Sequence, residues 1–220
     1  METKQTILAC ETLRDELQCA MRLENISGQI IWIESALHNF PNKLREQLQA
    51  ALDSSHGINR VISTFGLCGN ALIGVKTGNF ELVVPRVDDC ISLLFGSVAK
   101  RLTYTECKST YFLTKGWLKG ERNIWAEYQY AVEKYGEETA DEIMSAMIGE
   151  YKYLGILDTD SYDLHAILPE TEMIAEKLGL EHLVIPASVE YLRQLLTGPW
   201  TDDKFLLVPG NTEIKSMDLY

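Results

Sequence analysis

The chain predicts an α/β fold with a mainly parallel sheet, and three observations carry that prediction. Short runs rich in β-branched and aromatic residues alternate with stretches of helical periodicity through the first hundred residues. Glycine, proline or aspartate stands where strands hand over to helices, as at Gly66, Pro41 and Asp88. The alternation resumes near Tyr153 after two consecutive helical patterns. These features imply βαβ units in one domain, 1–220, made of two Rossmann-like pseudo-lobes. The first, 1–104, carries cysteine-bearing βα units; the second, 105–220, carries a helical pair and a further βα set.

In chain order, Thr6 to Ala9 reads as the first strand, ended by Cys10. Glu11 to Leu23 follows as a helix, with Leu13, Leu17, Ala20 and Met21 at helical spacing and Cys19 as a packed thiol. Gln29 to Glu34 is the second strand. His38 falls in the loop beyond it, and Pro41 opens a helix that stops near Gly57. Arg60 to Phe65 and Glu81 to Pro85 are the third and fourth strands. Asp88 is a candidate N-cap for a helix from Cys90 to Val98, with Asp89 in its first turn. A weak boundary falls at Ser97 to Ser109. Ser109 to Leu113 is a strand, and Arg122 to Tyr135 and Glu137 to Tyr151 are acidic amphipathic helices. Tyr153 to Leu157, Glu181 to Ile185 and Phe205 to Val208 are strands; Pro169 to Leu178 and Val189 to Leu196 are helices; Gly210 to Tyr220 is an acidic surface tail.

Composition excludes several classes. A hydrophobic content of 46% and 220 residues suffice for a sizeable core. A formal net charge of -12 argues against nucleic acid and against an anionic membrane surface. No apolar run approaches the roughly 20 residues of a transmembrane helix, and the N-terminus lacks a leader-like apolar region, so the expected setting is cytoplasmic. Five cysteines, with no Cys-x-x-Cys pair, argue against a disulfide framework or a local zinc knuckle.

Strand ends collect the unusual residues. Cys10 follows the first strand, His38 the second, Cys68 the third and Cys90 the fourth, with Trp117 after the fifth. In an open parallel sheet those loops share one edge, where ligands bind. Cys10, Cys68 and Cys90, with His38 as a fourth donor, therefore form a candidate metal site for zinc or an iron–sulfur cluster. Cys90 at a helix N-terminus is expected to have a lowered pKa, with Arg86 adding positive charge. Gly66, Gly69 and Gly74 would let backbone approach a ligand, and Gly69, Asn70, Arg86, Asp88 and Trp117 are the candidate cofactor-binding residues. Glu11 is a candidate acid or base. Cys107, His56, His165 and His182 are expected to be incidental or exposed.

The motifs Leu8-Ala9-Cys10, Leu37-His38-Asn39, Gly66-x-Cys68-Gly69-Asn70, Pro85-Arg86-Val87-Asp88-Asp89-Cys90 and Gly116-Trp117 resemble the domain of unknown function family 1638 of bacteria and archaea. The resemblance covers most of the chain. It implies a companion of corrinoid-dependent methyltransferases in anaerobes that use methylamines or methylated betaines. A corrinoid protein or methyltransferase would be the partner, and a corrinoid a further candidate cofactor. The layout is also similar, as analogy, to quinolinate synthase, where cysteines from separate α/β units hold one iron–sulfur cluster.

The expected function is thus a cytoplasmic metal-binding protein with a cysteine-ligated iron–sulfur or zinc centre, working in methylamine- and corrinoid-linked one-carbon metabolism as enzyme or accessory. As an enzyme, the metal would act as Lewis acid toward a small anionic or methylated substrate, with Arg86 holding its negative group. Two other readings stand beside it: a metal-free small-molecule or cofactor-binding accessory, and a thiol enzyme using Cys90 or Cys68.

Overall fold

The computed structural model describes residues 4–120 and 122–219; the side chains of Cys107 and Leu219 lie outside that description, and with Cys107 goes the expectation made for it. Residues 1–3, which bear on the leader reading, are also outside it. Strand β1 (Gln5–Cys10) passes through a 3-10 turn (Glu11–Leu13) into α1 (Arg14–Leu23), and β2 (Gln29–Ile33) through a second (Ser35–Asn39) into α2 (Pro41–Asp53). Next come β3 (Arg60–Ser63), β4 (Glu81–Pro85), α3 (Cys90–Phe95), α4 (Val98–Lys108), β5 (Thr110–Leu113) and α5 (Lys115–Leu118). The chain ends with α6 (Ile124–Tyr135), α7 (Glu137–Ile148), β6 (Tyr153–Asp158), α8 (Leu168–Lys177), β7 (Glu181–Pro186), α9 (Glu190–Thr197), β8 (Phe205–Val208) and α10 (Ser216–Leu219).

These strands build two sheets. The first has the order β2-β1-β3-β4-β8, and its first four strands are parallel. The second, β5-β6-β7, is wholly parallel. The α/β prediction therefore holds, with three departures. The expected surface tail Gly210 to Tyr220 is anchored instead: Ile214 is 1% exposed and its N–H donates to the Val75 carbonyl at 2.9 Å. The expected helix Cys90 to Val98 breaks at Gly96, which takes φ 79. Ser97 then caps α4 by accepting from the Lys100 N–H at 3.2 Å, so the expected boundary segment is a helix. The last strand does not extend the second set. It pairs antiparallel with β4 of the first sheet, Leu82 opposite Val208 and Pro85 opposite Phe205.

Alternation along the strands divides the core. On β1, Ile7 and Ala9 face one apolar cluster and Leu8 the other; on β4, Val83 faces the first and Leu82 and Val84 the second. The first cluster joins both sheets through α1, α3 and α9. Leu13, Leu17, Leu93, Leu94, Leu192 and Leu195 are each exposed by 1% or less there. At about 1.5–3 kcal/mol for each fully buried leucine, that layer docks the two sheets as one unit. α2 covers the opposite face of the first sheet through Leu44, Leu48 and Leu52. Helices α6, α7 and α8 cover the outer face of the second sheet. No helix among the described residues is long and apolar enough to cross a membrane.

Candidate functional site

Helices α1 and α2 lie on opposite faces of the first sheet, so the winding reverses between β1 and β3. At such a switch point the loops at the strand carboxyl ends diverge and leave a crevice. Cys10 closes β1 on one side of it and Cys68 follows β3 on the other. A cavity of about 280 Å³ occupies this place, lined by Cys10, Cys68 and Cys90 with Glu34, Ser35, His38, Thr64, Phe65, Gly69, Asp88, Asp89 and Trp117. The three distant cysteines and His38 all line this one cavity.

Local backbone chemistry brings the thiols together. The Thr64 N–H donates to the Leu8 carbonyl at 2.9 Å and the Cys10 N–H to Thr64 Oγ1 at 3.2 Å, which carries the β1–β3 ladder into the loop. The Leu67 and Cys68 N–H groups donate to the Val87 and Asp88 carbonyls, both at 2.8 Å. Those two bonds fasten the Cys68 loop to the Cys90 loop. Gly66 permits the contact: a Cβ there would stand 2.1 Å from the Val87 carbonyl oxygen. Its smallness serves chain against chain and not chain against ligand, contrary to expectation. Gly66→Ala is expected to cost about 1–3 kcal/mol in urea unfolding, because neither backbone can rotate away; an unchanged midpoint would show that the contact does not hold the loops.

Beyond the fastener, Cys68, Gly69 and Asn70 take φ values of 41, 67 and 68. A left-handed cysteine costs on the order of 1 kcal/mol and persists only where its surroundings enforce it. Here the fastened loop enforces it and turns Cys68 back toward the cavity.

Two of the three sulfurs are offered a donor. Thr12 Oγ1 donates to Cys10 Sγ at 3.1 Å, and Trp117 Nε1 donates to Cys90 Sγ at 3.4 Å. At Cys68 the nearby Gly66 backbone opposes the rise of the thiol pKa. Burial works the other way and wins. It raises the Cys10 thiol pKa, pushes Cys68 up to about 12, and lifts Cys90 well above the ordinary value. Mutual repulsion among the sulfurs and the nearby acids adds to the rise at Cys90. The expected lowering of the Cys90 pKa by its helix is thus reversed, since α3 has only six residues and the thiol is desolvated.

His38 lies in the 3-10 turn after β2, its Nδ1 2.5 Å from the Ser35 carbonyl. A carbonyl only accepts, so Nδ1 carries the proton and Nε2 keeps its lone pair, the arrangement found in metal-binding and proton-accepting histidines. Its ring meets Trp117 edge-on at 4.5 Å.

Other candidate residues fall differently. The cap of α3 is Asp89, which accepts from the Ser92 N–H at 2.8 Å. Asp88 instead accepts from the Asp89 N–H and Ser92 Oγ and pairs with Arg101 at 2.5 Å. Arg86 does not line the cavity. The β4–β8 pairing runs on through its N–H to the Lys204 carbonyl, and its guanidinium donates to the Asp218 carbonyl at 3.0 Å. The positive charge near the cavity is Arg101, on the helix that the Gly96-Ser97 pair could have revealed. Asn70 gives its carbonyl to Arg45 and lies outside the lining, as does Gly74. Glu11 is exposed and paired with Arg14. His56 and His165 are exposed, while His182 is half-buried against Thr171. Glu34, Thr12 and Thr64 were missed; their places at or just past strand ends were the available signal. Among the described residues, no group of three or more His, Cys, Asp or Glu side chains is gathered as a ready metal-ion site.

Fold and cavity together define an α/β protein with a thiol-lined crevice at the switch point of a doubly wound sheet. The family model described as protein of unknown function (DUF1638) matches residues 32–196, about three quarters of the sequence, and the chain belongs to that family. The matched residues include His38, Cys68, Cys90 and Trp117 and begin after Cys10. No curated protein and no solved structure matches the chain.

Proposed function

We propose that the cavity is a metal centre in which Cys10, Cys68 and Cys90 hold an iron–sulfur cluster, with zinc as the second candidate. One observation carries the reading. Three half-buried thiols line one cavity, and two of them, Cys10 and Cys90, are offered a hydrogen-bond donor that favours the thiolate, while desolvation and mutual repulsion oppose ionisation. A thiol that merely fills core needs no such donors. A bound cation resolves the conflict, because it neutralises the sulfurs and displaces their protons.

Geometry favours the cluster over the single ion. Zinc at about 2.3 Å from each sulfur needs its ligands within roughly 4 Å of one another, and no ready set of three exists among the described residues. A cluster spans more widely separated sulfurs, and three cysteines leave one iron open to the cavity. His38 Nε2 or a substrate donor would face that position, and the open iron would supply Lewis acidity. A cavity of about 280 Å³ suits a compact inorganic cluster and is far too small for a corrinoid macrocycle. In this reading a corrinoid belongs to a partner protein. The setting in methylamine- and corrinoid-linked one-carbon metabolism comes from the family resemblance.

The thiol-enzyme alternative is weakened by the same burial. Desolvation pushes the Cys68 thiol up to about 12, which leaves it a poor nucleophile at neutral pH. Protein purified without oxygen is expected to contain stoichiometric iron and sulfide, or zinc. Serine at Cys10, Cys68 or Cys90 is expected to abolish loading. Metal content unchanged in all three variants would overturn the proposal.

A further inference from the structure

Tryptophan N–H groups in proteins usually reach an oxygen, and Trp200 of this chain does so, donating to the Leu195 carbonyl at 2.9 Å. Trp117 aims its N–H at the Cys90 sulfur instead. The side chain is fixed from two directions. Its own backbone N–H donates to the α5 cap, Thr114 Oγ1, at 3.2 Å, and the His38 ring edge packs against the indole.

Gly116 decides how close α5 can come. A Cβ on Gly116 would stand 2.0 Å from the Thr12 carbonyl oxygen and 2.8 Å from the Thr12 carbonyl carbon. Thr12 is the residue whose hydroxyl donates to Cys10. One contact between α5 and the turn after β1 therefore sets the position of donors to two of the three sulfurs.

We propose that Trp117 is a positioning residue that stabilises negative charge on the Cys90 sulfur, and that Gly116 is what allows it to reach. This deepens the metal-centre reading and rests on its thiolate sulfurs. The indole N–H is a donor without acceptor capacity, so the bond strengthens as the sulfur becomes more negative. It comes from the second sheet's βα unit, whereas every sulfur comes from the first sheet's strand ends. The charge on the centre is thereby tied to the docking of the two sheets.

Trp117→Phe keeps an aromatic ring beside His38 and removes the donor. Both proteins are loaded with iron and sulfide without oxygen, and the reduction potential is measured at matched iron content. Trp117→Phe is expected to keep its iron and to show a more negative potential, because the sulfur has lost its donor. An unshifted or more positive potential at full iron content would overturn the inference and leave the metal reading standing. If the wild-type protein takes up no iron, the metal reading falls and the inference falls with it. Gly116→Ala is expected to shift the potential in the same direction; if that variant does not fold, Trp117→Phe remains decisive.

Discussion

Glu16→Gln is expected to stabilise the protein by about 3 kcal/mol at pH 8 and to change little near pH 4. Glu16 sits on α1, has no solvent exposure, and leaves one carboxylate oxygen without a hydrogen-bond partner. Burial is the main reason its pKa rises to about 7, and Asp15 adds to the rise. The Glu16 backbone opposes it most, followed by a weak bond from Thr159 Oγ1 at 3.5 Å and the charge of Lys115. The folded state therefore holds this proton more tightly than the unfolded chain, whose carboxyl titrates near 4.5. Stability is fullest below that value, declines as pH rises through about 7, and is flat above. Glutamine removes the charge, so its advantage appears only as Glu16 ionises. Urea unfolding of both proteins at pH 5 and pH 8 tests this. A variant that is destabilised equally at both values would rule out the buried charge as the cause.

Metal loading is expected to be steeply pH-dependent. Burial keeps the Cys10, Cys68 and Cys90 thiols protonated through the neutral range, so each sulfur must release a proton when it binds metal. Below the thiol pKa values, each released proton contributes up to about tenfold in affinity per pH unit, and three contribute up to about a thousandfold. Iron is the probe, with its affinity measured from pH 6 to 8 at a fixed free sulfide concentration. The slope of log affinity against pH should approach three. A slope near zero would mean that sulfurs already ionised, or other ligands, take the metal.

Much of this architecture is legible in the residues themselves. β4 reads directly from Glu81 to Pro85, and the cysteines after β1, β3 and β4 mark one sheet edge because parallel strands point the same way. Long-range pairing is less visible. Nothing near Phe205 says that β8 returns to β4, and that return is what draws Arg86 toward the C-terminal helix. Two misreadings were local. Asp88 and Asp89 are equally good caps by type, and only the backbone of Asp89, with φ -153 and ψ 179, selects it. Gly96 followed by Ser97 is a stop followed by a start, which separates α3 from α4. Glu16 is legible in hindsight, since it shares the apolar stripe of Leu13, Leu17 and Ala20.

The contact of α5 with the turn after β1 has a consequence for how this protein can be dissected. A fragment ending near residue 104 would carry Cys10, Cys68 and Cys90 and the loops that fasten them. It would lack the indole beside Cys90, and the edge of β4 would have lost β8. Such a piece is chemically another species, with sulfurs differently solvated and a bare strand inviting self-association. Truncation experiments should therefore begin from the far end of the second sheet's outer helices, leaving the residues around Gly116 in place.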